Sequence, residues 1–263
     1  MSKKLALFLI INPLFLLLTF SPAFAGILQD RINQYPHWES QILLLNNQQD
    51  LYFPEWFEGE WEVTSVLEEQ IAPMAPKLVT PGFENNKRYL NKEVNFEVRY
   101  IRDKIAPKFS LFFPDTFSSK EVIVADRAFN GLAIAKAYLG EENVQSVTVN
   151  PKNPNEQTTI LTENNKLIST VIGRQQETVS PTRFITCEIT RQFFSSPEGV
   201  YKNEPILYVN LVETLTDYNL VEPNLIRAKQ WTAIYLSWED PDYFLALNRP
   251  VALYFYNIEL RKK

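Results

Sequence analysis

Residues Leu51–Leu67 read LYFPEWFEGEWEVTSVL, and the rest of the chain is organised around them. Pro54 fixes φ and lacks an N–H, which suits the entry to a strand. Gly59 permits a conformation or a close backbone approach that a Cβ would block. From there the chain alternates. Trp61, Val63, Ser65 and Leu67 fall on one face, and Glu60, Glu62, Thr64 and Val66 on the other. A period of two with one mainly apolar face predicts a half-buried strand.

Upstream, Lys3 and Lys4 precede an apolar run, Leu5–Phe20, and the small-residue box Ala23-Phe24-Ala25. That order is a secretory signal peptide over 1–25, with maturation expected at Gly26. Residues 26–50 form a polar, Gln/Asn-rich lead-in, with a short helix expected over Leu43–Gln48. The only His, His37, lies there as a surface residue. Residues 51–263 are expected to form a single domain. The formal net charge is −5, and loss of Lys3 and Lys4 makes it more negative. Nucleic acid and anionic membranes are therefore poor partners. One Cys, Cys187, forbids an internal disulfide, so an exported chain must rely on its core.

Downstream of a breaker-rich stretch, 71–92, strands are expected over 93–102, 107–114, 121–125, 144–150, 157–163, 166–174, 182–194, 205–217, 225–238 and 250–261. The one long helix is 126–139, DRAFNGLAIAKAYL, with Asp126 as N-cap and Gly140 as its stop. Gly131 inside it implies close packing on the sheet. Asp126 and Arg127 are adjacent and are expected to pair at the strand-to-helix turn, or Arg127 to form an anion site. The fold class is thus mostly β, an antiparallel barrel with one packed helix.

Phe57, Gly59 and Trp61 resemble the F-x-G-x-W opening of lipocalin-like barrels. The resemblance implies that Trp61 plugs one end and that Arg261, on the last strand, packs over it. The segments 52–65, 124–140, 149–157 and 232–256 resemble a family of exported proteins of cyanobacteria and of the plant chloroplast lumen, to which no activity is attached. That resemblance implies the thylakoid lumen or the periplasm as the compartment. It also implies a photosynthetic membrane complex as a possible partner.

Catalytic motifs are sparse. With one His and one Cys, neither a triad nor a zinc or haem site is expected, and no cofactor or metal is expected. A de-epoxidase-like activity has lipocalin precedent, but a single Cys disfavours its disulfide-rich form. Glu213 lies among Leu207, Val209, Leu211 and Leu215 and needs a partner, with Arg183, Arg191 and Lys229 as candidates. It reads as a structural ion pair or a catalytic acid. The aromatics of the late strands either fill a core or line a cavity. Two functions compete. In one, a lipophilic small molecule, pigment or lipid, binds behind Trp61, Tyr208, Glu213, Tyr235 and Tyr254. In the other, a filled barrel serves assembly through an apolar patch, expected on 71–92.

Overall fold

A computed structural model describes residues 26–44, 50–105, 120–196 and 206–263. The signal segment 1–25, most of the helix expected at 43–48, and the strand expected at 107–114 lie outside them. Among the described residues the strands are β1 (Gly59–Ile71), β2 (Glu93–Ile105), β3 (Lys120–Ala125), β4 (Val144–Asn150), β5 (Asn153–Leu161), β6 (Lys166–Ser180), β7 (Arg183–Ser196), β8 (Ile206–Glu222), β9 (Leu225–Leu236) and β10 (Ala252–Lys262). The helices are α1 (Ile27–Asn33), α2 (Phe83–Asn86), α3 (Arg127–Leu139) and α4 (Tyr243–Ala246).

All ten strands join one antiparallel sheet in the order β3-β2-β1-β10-β9-β8-β7-β6-β5-β4. The link from β3 to β4 therefore runs from one edge of the sheet to the other. It is made by α3, 13 residues long, which spans only about 20 Å. A flat ten-stranded sheet is roughly 43 Å across. The sheet must curl, and α3 packs on both β2 and β4 across the opening. The result is a half-barrel with α3 against its inner face. Gly131 allows the close approach: a Cβ there would come 2.6 Å from the Gln157 side chain of β5. Asp126 caps α3, its carboxylate accepting the Phe129 N–H at 3.1 Å.

β1 carries the alternation read from the sequence. Trp61, Val63, Ser65 and Leu67 are all buried on the inner face. β1 pairs with β10, so the first and last strands meet. Gly59 has φ 121°, and a Cβ there would sit 3.1 Å from Lys262 Cε. Phe57, Trp61, Val98, Tyr100, Ile123 and Phe184 close one end of the inner side. Leu67, Phe83, Ala252 and Tyr254 fill the other, with Leu78, Leu236, Ala246 and Val251 beside them.

The lead-in holds a helix that its polar composition hides. α1 and the chain after it lie on the outer face, where Leu28, Trp38 and Ile42 cover Ile185, Cys187, Leu215, Trp231 and Leu253. Burial raises the Cys187 thiol well above its ordinary value. β5 pairs with β6 only as far as Thr170, which leaves the rest of β6 a free edge. The lead-in covers that edge. Leu44 lies over Gly173, and Glu177 accepts the Leu28 N–H at 2.9 Å. The Gln176 amide bonds both the N–H and the C=O of Tyr52 at 2.8 and 3.0 Å. One residue on, the Phe53 N–H donates to the Ile123 carbonyl of β3 at 2.8 Å. Residues 50–53 thus bridge β6 and β3, a second closure of the opening beside α3.

Candidate functional site

The inner face of the half-barrel holds a cavity of about 250 Å3. One wall is apolar: Val63 on β1, Phe96 and Val98 on β2, Ile258 and Leu260 on β10. The facing wall is polar: Thr186 and Glu188 on β7, Thr214 and Thr216 on β8, Gln230 on β9. Both follow from strand alternation, since each set falls at every second position of its strand. The side not made of sheet is Leu51 and Phe53 from the bridging segment, and Asn130 and Ile134 from α3. Tyr100 and Tyr218 also line it, and burial raises both hydroxyls above their ordinary range, so they remain neutral.

At its rim four charges interlock. Arg127 Nη2 lies 2.6 Å from Asp50 Oδ1 and 3.0 Å from Glu188 Oε1. Arg174 Nε is 3.2 Å from Glu188 and its Nη1 3.5 Å from Asp50. Arg174 Nη2 also donates to Asn155 Oδ1 at 2.8 Å. Burial raises the Asp50 carboxyl, but the hydrogen bond and charge of Arg127, with Arg174 behind it, outweigh that and hold it below its ordinary value. Burial likewise lowers Arg127, and Glu188 and Asp50 more than reverse it. Two cations against two carboxylates make a balanced cluster, which pins residues 50–53 to both α3 and the β6–β7 hairpin. It is a strut, not an unfilled anion site. The adjacent pair expected at the strand-to-helix turn does not form. Asp126 instead binds Arg99 at 2.6 Å, while Arg127 turns inward.

None of the five residues expected to bind ligand lines this cavity. Glu213 and Tyr235 point to the outer face. Glu213 is 0 % exposed and meets Arg31 of α1, with Nε to Oε1 at 2.7 Å and Nη2 to Oε2 at 2.9 Å. The Tyr235 hydroxyl donates to Glu213 Oε2 at 2.9 Å, and burial with the Glu213 charge raises it far above its ordinary value. The Arg31 guanidinium lies 4.0 Å from the Trp38 ring centroid. None of the three expected partners pairs with Glu213. Arg183 binds Asp217 and Arg191 binds Glu239, and Lys229 stands opposite Asp217 in the β8–β9 register. Tyr254 packs with Leu67 and Phe83 beyond the cavity. Tyr208 lines a separate groove near Leu78 and Pro81.

Trp61 is fully buried and donates to the Phe57 carbonyl at 2.7 Å. Arg261 does not cover it. In the β1–β10 register Trp61 stands opposite Lys262, and Arg261 opposite Glu62. A step of one residue moves a side chain to the other face. Arg261 therefore lies outside, paired with Glu259 at 2.5 Å, and Lys262 Nζ sits 5.5 Å from the Trp61 ring. In the 71–92 stretch Leu78 and Phe83 are buried, and Val79 and Leu90 are its exposed large apolar side chains. Four well-exposed apolar side chains lie close in sequence at Trp238, Phe244, Leu245 and Leu247.

Asp50, Arg174 and Glu188 carried no sequence motif. Counting back from a hairpin at Pro181-Thr182 sets Arg174 across from Ile189; the bulge between Thr178 and Ser180 shifts the register by one and brings Glu188 opposite instead. Among the described residues no group of His, Cys, Asp and Glu is arranged to hold a metal ion. Fold and cavity define an antiparallel half-barrel with one crossover helix and a small, two-faced interior. A family model for a domain of unknown function, DUF6816, matches residues 46–263. The chain belongs to that family, and the match begins after α1 and the outer-face segment. No curated protein and no solved structure matches the chain.

Proposed function

We propose that this is a non-enzymatic binding protein that takes a small lipophilic molecule with a polar end into the interior cavity. The supporting observation is the division of the cavity into an aliphatic and aromatic wall on β1, β2 and β10 and a hydroxyl and amide wall on β7–β9. An apolar body lies against the first, and a hydroxyl or carbonyl group meets Thr214, Thr216 or Gln230 on the second. About 250 Å3 is below the roughly 300–1,000 Å3 usual for ligand pockets. A ring or short chain fits; a whole pigment or diacyl lipid does not. Export to a lumen or periplasm is part of the same proposal and rests on Lys3, Lys4, Leu5–Phe20 and Ala23–Ala25.

A series of straight-chain alkanols tests it. Thermal stabilisation of the chain is expected to rise with chain length and then stop once the cavity is full. Val63→Trp, which fills the cavity, is expected to abolish the effect while leaving the β-sheet circular dichroism intact. No length dependence, or the same response in Val63→Trp, would sink the proposal.

A further inference from the structure

At the end of the sheet away from Trp61, a groove of about 630 Å3 runs between Leu78–Pro81 and the turn after β9. Its floor is apolar, with Leu78, Phe193 and Leu236. Beside it the β9–β10 connection exposes Trp238 at 74 %, Phe244 at 81 %, Leu245 at 56 % and Leu247 at 53 %. Those side chains add little to the core, and four such residues in ten positions form a patch of the kind that marks interaction sites. The backbone presents them in a fixed way. Arg249 donates to the carbonyls of Leu245 and Ala246 at the end of α4. The Tyr243 hydroxyl bonds Asn248, and the Gln41 N–H donates to the Asn248 carbonyl. Leu247 is held at φ 52°, a region that L-residues with a side chain rarely adopt.

The polar groups of the groove point to the occupant. Asp240 and Asp242 flank Pro241 on its rim. Neither forms an ion pair among the described residues, and Asp242 does not cap α4. Glu239 beside them is committed to Arg191 and Ser237. The Tyr208 hydroxyl is buried in the lining beside the Asn210 side chain, which supplies its polar neighbour.

We infer that this face docks a partner protein through a segment that carries a basic side chain between apolar ones. The cation lies between Asp240 and Asp242. The flanking apolar side chains rest on Trp238, Phe244 and the groove floor. The net charge of −5 favours a basic partner. A lipid surface matches less well, because the groove is concave and its rim acidic.

Immobilised peptides with a central Arg, Lys, Leu or Glu between Leu and Phe are the probe, with the full chain in solution. Arg and Lys peptides are expected to retain the chain at least tenfold more than the Glu peptide, and less as salt rises. Asp240→Asn with Asp242→Asn is expected to erase the preference. Trp238→Ser with Phe244→Ser is expected to erase binding to all four peptides. Trp238, Asp242 and Phe244 are exposed, and Asn at 240 keeps the side-chain oxygen that accepts the Asp242 N–H, so the variants are expected to keep the wild-type urea midpoint. Equal retention of Glu and Arg peptides, or binding unchanged by the variants, overturns the inference. So does patch-dependent binding to zwitterionic vesicles without peptide preference, and so does a dimer that Phe244→Ser dissolves.

Discussion

Replacing Arg31 by Met tests the least foreseeable contact of the fold. Met keeps most of the apolar stem, so the change removes charge and hydrogen bonds more than volume. Glu213, 0 % exposed, then keeps only the Tyr235 hydroxyl at 2.9 Å and the Ile42 N–H at 3.3 Å. A buried carboxylate stripped of its cation costs about 3–5 kcal/mol. Loss of the stacking of Arg31 on Trp38 at 4.0 Å adds about 1 kcal/mol. Arg31→Met combined with Glu213→Leu leaves no charge behind, and such replacements are often neutral. The double variant is therefore expected to be markedly more stable than Arg31→Met alone, with a coupling of about 3 kcal/mol. Urea denaturation of the chain starting at Gly26 measures all four corners of the cycle. A cost under about 1 kcal/mol for Arg31→Met, or strict additivity, refutes the seating of α1 on the outer face.

By the same assay Trp61→Ala is expected to cost about 3–5 kcal/mol, Lys262→Ala no more than about 1 kcal/mol, and Arg261→Ala within about 0.5 kcal/mol. A loss at Arg261 approaching that at Trp61 contradicts the register. The depressed Asp50 carboxyl sets an acid limit. Its contribution is fully present above the unfolded value of about 4 and is lost as pH falls through the lower folded value. The urea midpoint is expected to drop with acidification below about pH 4, and less steeply in Asp50→Asn. Equal slopes in the two proteins rule out the Asp50 latch.

The strands were legible because each pairs a period of two with turn residues at its ends. β1, β2, β4 and the α3 boundaries fall where Trp61–Leu67, Val94–Tyr100, Val144–Asn150 and Asp126–Gly140 place them. The inward set of β1 was legible too, since alternation fixes faces. What alternation leaves open is which face of a later strand is inner. Glu213 lay on the more apolar face of β8 and so read as interior. That face is apolar because the lead-in covers it, and Leu28, Trp38 and Ile42 are too dispersed among polar residues to announce an amphipathic segment. The Arg261 expectation failed for a related reason, since a one-residue difference in register is invisible in a single strand.

The two closures explain why a polar wall survives inside this domain. A sheet closed strand to strand tends to fill its interior with side chains from all around. Here the opening between β3 and β6 is closed by α3 and by residues 50–53 instead. Gly131 brings α3 close to β5, and Asp50, anchored by Arg127 and Arg174, fixes the bridging segment. Of these pieces Phe53 reaches Tyr218 of β8, with ring centroids 6.5 Å apart, while the space over Thr214 stays unfilled. Thr214, Thr216 and Gln230 therefore face a void, and Val63 and Leu260 bound it from the other side. Thr216 donates to the Gln230 amide oxygen at 3.3 Å, and the Gln230 amide nitrogen lies 3.5 Å from the Thr232 hydroxyl, so the wall is polar yet internally paired. The way the sheet is closed thus leaves a two-faced space between β1 and β8, bounded on its non-sheet side by Leu51, Phe53 and α3.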